Sequence, residues 1–176
     1  MTGRDIVRDI FAGRTHSGPA FWPGSPTAEA MDLYQQSLGT RSELDFSLAL
    51  GSHAIWIPAD LRAWRHPEGL PLWNTIPSAG RRALDGPGVF ADCEDVSEVD
   101  RFDWPNPDAI DFTDTIASMR TAQDEGLAVL GGPWSYITTI VSEFFGMEDF
   151  LVKLYTNPDV MHAVIGHVVG FYLELN

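Results

Sequence analysis

Apolar positions recur at helical spacing along much of the chain. Ile6, Ile10 and Phe11 form one stripe, with Thr2 placed to cap it, Asp5 three residues on and Gly13 as a stop. Thr27 opens a second helix with Met31, Tyr34 and Leu38 on one face and Gly39 at its end. Ser42 caps a short helix carrying Leu44 and Leu48. Ile116 and Met119 share a face of a helix that stops at Glu125 and Gly126, and further helices are predicted over 135–146 and 148–155. Asn157, Pro158 and Asp159 then supply a cap, a first helical position and a first-turn acid. The helix they open places Val160, Val164, Ile165, Val168, Val169, Tyr172 and Leu175 on one face.

Between the helices lie three short runs that are apolar on both faces. They are Pro19-Ala20-Phe21-Trp22-Pro23, Ala54-Ile55-Trp56-Ile57 and Leu127-Ala128-Val129-Leu130, each followed by a helix. Buried strands alternating with helices predict parallel pairing in an α/β fold. Residues 60–108 break this rhythm with Pro67, Pro71, Pro77, Pro87, Pro105 and Pro107. Within that stretch, 70–76 and Val89-Phe90-Ala91 read as strands of a small hairpin insertion. A closed (β/α)8 barrel takes about 200–250 residues. Three strands therefore predict the N-terminal part of a TIM-barrel type fold, with 1–176 as a single partial domain and an irregular insertion over 60–108.

Charge narrows the partners. The chain has 176 residues and a formal charge of −14, which argues against nucleic acid and anionic membrane surfaces. The hydrophobic fraction of 44% is enough to build a core. No apolar run reaches the ~18 residues of a membrane span. Cys93 is the one cysteine, so an intramolecular disulfide is impossible and a reducing, cytoplasmic setting is expected. Asp92, Glu94, Asp95, Glu98, Asp100, Asp103 and Asp108 form an acidic stretch whose simplest role is a solvated face.

Three segments resemble the N-terminal half of the uroporphyrinogen decarboxylase superfamily, which includes methylcobamide:thiol methyltransferases. The first runs from Arg4-Asp5-Ile6-Val7 through Phe11-Ala12-Gly13-Arg14 to Pro19-Ala20-Phe21-Trp22. The second is the acidic stretch from Asp95 to Asp103 followed by Trp104-Pro105-Asn106-Pro107. The third, and the most specific, is Gly131-Gly132-Pro133-Trp134-Ser135-Tyr136-Ile137-Thr138-Thr139, continuing through Met147-Glu148-Asp149-Phe150-Leu151 to Tyr155-Thr156-Asn157-Pro158.

The resemblance implies a (β/α)8 barrel with its site at the C-terminal ends of the strands. Trp22 to Ser25, Pro58 to Asp60 and Gly131 to Tyr136 would then face the pocket. Asp60 stands near the family's strand-end aspartate and is the expected catalytic or anchoring carboxylate. Its alternative is a helix cap or a solvated loop acid. Trp22 and Trp134 would wall a flat tetrapyrrole or corrin, or serve as plain core aromatics. Ser25 would donate a hydrogen bond to substrate or hold a turn beside Pro26. Tyr136 faces the pocket or a neighbouring helix, and Thr139 stands where the family carries a tyrosine. His53 reads as structural.

The family's decarboxylases carry arginines after the first strand that bind propionate and acetate groups, a task suited to planar bidentate donors. Here Gly24 and Ala28 occupy those positions, and no Lys or Arg lies between Arg14 and Arg41. By elimination the resemblance favours corrinoid-dependent methyl transfer to a thiol, with uroporphyrinogen decarboxylation in porphyrin biosynthesis as the alternative. The expected partner is a small-molecule tetrapyrrole or a methyl-corrinoid, free or on a corrinoid protein. The family's zinc, which holds the thiol as thiolate, is bound in the second half of the barrel. No cofactor is therefore expected to be held by this segment on its own, and the resemblance places zinc and a corrinoid in the complete enzyme. A reading of another class is a non-catalytic binding module, self-associating through the open edge of its sheet.

Overall fold

The computed structural model describes residues 1–16, 18–61, 64, 72–73, 75, 86–133 and 135–175. It is a mixed α/β structure that divides into two compact units, Met1–Asp60 with Phe112–Gly132, and Leu61–Asp111 with Pro133–Asn176.

The first unit holds α1 (Gly3–Phe11), α2 (Ala28–Leu38), α3 (Glu43–Ala49), β1 (Ala54–Pro58), α5 (Thr113–Asp124) and β2 (Ala128–Gly132). The helix starts follow local chemistry. Thr2 and Asp5 form a reciprocal capping box, and the Thr27 and Ser42 hydroxyls accept from Ala30 N and Asp45 N. Gly39 ends α2 in the left-handed region at φ 68°, where a Cβ would be strained.

β1 and β2 pair in parallel, from Ala54 opposite Ala128 to Pro58 opposite Gly132. Ile55 and Val129 share one face of this pair with Ile57, and there they meet Leu44, Ala122 and Leu127. Gly131 lies opposite Ile57, and a Cβ there would run into the Ile57 carbonyl. The sequence has glycine where the two backbones come this close.

The expected strand at Pro19–Pro23 does not form. Pro19 and Pro23 lack N–H donors. Phe21 N donates not to a backbone carbonyl but to His53 Nδ1 at 2.9 Å, while His53 N donates to Phe21 O at 2.8 Å. A side chain thus takes the ladder position a strand would need, which also gives His53 the structural role read from the sequence. Among the described residues the sheet has two strands rather than three.

The second unit holds α4 (Val96–Asp100), a 3₁₀ turn at Pro107–Ala109, α6 (Ile137–Phe145), α7 (Met147–Thr156) and α8 (Pro158–Glu174). Its core is aromatic. Phe144 is fully buried, with Phe90, Phe102 and Trp104 rings at 5.4, 5.6 and 5.1 Å and the Trp73 ring edge-on at 6.3 Å. Val160, Val164 and Val168 of α8 are fully buried, as their helical spacing predicts, and each contributes about 1.5–3 kcal/mol.

The segment Val89-Phe90-Ala91 is a turn, not a strand. Gly88 N and Phe90 N donate to the carbonyls of Phe145 and Phe144, at the end of α6. Those last-turn carbonyls have no partner within their own helix, and they capture the amides a hairpin would have used. The expected strand over 70–76 falls largely outside the described residues, and Leu72, Trp73 and Thr75 within it are not in a strand. Among the described residues, no helix is long and apolar enough to cross a membrane.

Candidate functional site

The end of β1 and the loop before α2 carry three of the sequence candidates in the first unit. Trp22 is exposed and stacks on Trp56 of β1, with ring centres 6.4 Å apart and planes at 27°. The Phe21–His53 bonds fix the backbone just before Trp22. Because a backbone N–H donates to Nδ1, that nitrogen carries no proton, and the neutral ring holds its proton on Nε2. Ser52 Oγ adds bonds to Phe21 O at 3.3 Å and to Ala54 O at 2.5 Å.

Ser25 is exposed and lines a groove of about 710 Å³ with Pro23, Gly24, Pro26, Tyr34, Leu38, Phe46 and Leu50. Tyr34 stacks on Phe46 at 5.7 Å to form one wall. Every residue lining this groove is uncharged. Asp60 is half-buried just beyond β1, after Ala59 N extends the strand pairing to Gly132 O at 3.2 Å. A second groove of about 410 Å³ runs along Ile55–Pro58 between Glu43 and Thr121, and its one ionisable lining residue is Glu43.

The remaining candidates belong to the second unit. Tyr136 is exposed at the start of α6, and its carbonyl accepts from Ile140 N at 2.9 Å. Thr139 is exposed one turn into the same helix, and its carbonyl accepts from Ser142 Oγ at 2.8 Å. Trp134 lies outside the described residues. The candidates are thus divided between the two units, with Trp22, Ser25 and Asp60 in the first.

Two polar centres of the second unit were not legible in the sequence. Lys153 is only 5% exposed, and its Nζ donates to Cys93 O at 2.7 Å and Glu94 Oε1 at 2.8 Å. Asn157 Nδ2 donates to Glu94 Oε2 at 2.9 Å. The bond from Lys153, then that from Asn157, holds the Glu94 carboxyl below the usual carboxylate range. Burial pushes the Cys93 thiol up, so it is a poor thiolate, and its Sγ donates to Asp95 O at 3.4 Å. The other centre is Glu143, whose carboxyl is pushed up by burial against the opposing effect of a Thr75 hydrogen bond. Neither centre follows a sequence motif, because the partners of Lys153 lie 59 and 60 residues away.

Among the described residues, no group of three His, Cys, Asp or Glu side chains is placed to hold a metal ion. Compared with known proteins, the chain matches no family model, no curated protein and no solved structure.

Proposed function

We propose that this chain is the N-terminal part of a (β/α)8 barrel of the uroporphyrinogen decarboxylase type, and that it supplies pocket walls for corrinoid-dependent methyl transfer to a thiol. The observation that carries the reading is the uncharged groove beside Ser25, next to the Trp22–Trp56 stack. A flat, largely apolar macrocycle gains most from aromatic faces and little from fixed charge. A porphyrinogen with eight carboxylates needs arginines, and the lining of this groove contains none. The sequence resemblance and the parallel pairing of β1 with β2 support the barrel.

In this reading Trp22 and Trp56 hold the macrocycle by its face, and Ser25 donates a hydrogen bond to its rim. Asp60 anchors a polar group at the strand end. The methyl group and its acceptor are brought by the ligand and by chemistry outside these residues.

Equilibrium dialysis against methylcobalamin and against uroporphyrin tests the proposal. Saturable methylcobalamin binding that falls about tenfold in Trp22→Ala is expected, with no uroporphyrin binding. Carbon dioxide release from uroporphyrinogen by the full-length gene product, with no spectral change in methylcobalamin, would establish decarboxylation instead. Binding of neither ligand would leave the non-catalytic module as the reading.

A further inference from the structure

Helix α7 presents its residues in the reverse of the usual sense. At about 100° per residue, Leu154, Met147, Leu151 and Tyr155 fall on one stripe with Val152 at its border, and Lys153 lies nearly opposite. The inward side is the one that carries Lys153, fixed by Cys93 O and Glu94. The outward side is the apolar one, with Tyr155 91%, Leu151 55% and Val152 52% exposed.

The carboxylates Glu148 and Asp149 occupy the first turn of the helix. They also border a groove of about 530 Å³ that Met147 and Leu151 share with Gly86 and Pro87. Among the described residues, no cation pairs with either carboxylate.

We propose that this face of α7 docks a basic amphipathic helix of a partner protein. Apolar anchors at helical spacing fit the stripe, and Lys or Arg beside those anchors pairs with Glu148 and Asp149. An isolated apolar residue on a surface is ordinary, whereas a continuous stripe opposite a buried lysine marks a covered face. Charge selects the occupant. A second copy would bring another −14 to an acidic rim, and an anionic lipid surface would be repelled. The positive complement does not come from α7 itself, because its lysine is turned inward.

The test is fluorescence anisotropy of a labelled 18-residue Leu/Lys helical peptide titrated with the whole chain. Saturable binding is expected, weakened about tenfold by Tyr155→Ser and further by Leu151→Ser. Glu148→Gln with Asp149→Asn is expected to weaken it several-fold and to reduce its salt dependence. The Tyr155 side chain is exposed enough that its replacement leaves the fold intact, which circular dichroism checks. Equal binding of a scrambled peptide of the same charge, or binding that ignores Tyr155→Ser, would overturn the proposal. So would self-association of the chain that Leu151→Ser abolishes, since the occupant would then be a second copy.

Discussion

The two units use similar apolar material in different ways. Phe144, Phe145, Met161, Val99, Val141, Val160, Val164 and Val168, the largest side chains that are fully enclosed, all belong to the second unit. The first unit encloses Phe46, Ile55 and Leu127 but leaves Leu33, Tyr34, Leu38 and Leu50 at its surface, and no residue of α2 is buried. Helices suffice to bury one another, whereas a parallel sheet of two strands has little area to shelter a helix layer. The second unit therefore encloses its large apolar side chains, whereas the first leaves several of them at its surface.

The sharpest way to break this comparison is Phe144→Ala, which empties the centre of the aromatic cluster. A loss of about 3–5 kcal/mol is expected in chemical denaturation, with faster hydrogen exchange in α6 and α8 and unchanged exchange in β1 and β2. Equal loss of protection in both units would show that they unfold together.

Gly131→Ala should act on the other side. Its Cβ meets the Ile57 carbonyl, so about 1–3 kcal/mol is expected, read as lost exchange protection in β1 and β2. Gly166 in α8 is the contrast, since a Cβ there meets nothing within 4 Å. Gly166→Ala should stabilise the second unit by up to about 1 kcal/mol, measured as a rise in Tm.

The smallest effects are changes of slope with pH. Glu94 has a lowered folded pKa, so its stabilisation is present above its ordinary value and lost as pH falls through the folded one. Glu143 has a raised folded pKa, so its contribution is present below its ordinary value and lost as pH rises through the folded one. In urea midpoints measured across this range, Glu94→Gln should flatten the acid-side fall and Glu143→Gln the opposite one.

What the sequence revealed follows from the range of the interactions. Thr2, Thr27, Ser42 and Asn157 cap their helices as expected, because a cap is settled within about three residues. The face of α8 was readable from its period in part: Val160, Val164, Val168 and Tyr172 are buried, joined within the same stripe by Met161 and Phe171, whereas Ile165, Val169 and Leu175 are only half-buried. Local pattern misled at 19–23 and 89–91, where the deciding partners were the His53 ring and the end of α6.

The candidate site divides in the same way. Trp22 and Ser25 were flagged as the strand-end positions that the family resemblance implies, but the stack on Trp56 and the Tyr34–Phe46 wall depend on folding. Lys153 gave no signal at all, since a lysine in a helix is ordinarily read as solvated.

That residue is the sole lysine of the chain. Its amine is enclosed and already donates to two acceptors. Acylating reagents and amine cross-linkers applied to the native protein would thus pass over the side chain. Labelling at position 153 would record each moment at which the second unit opens.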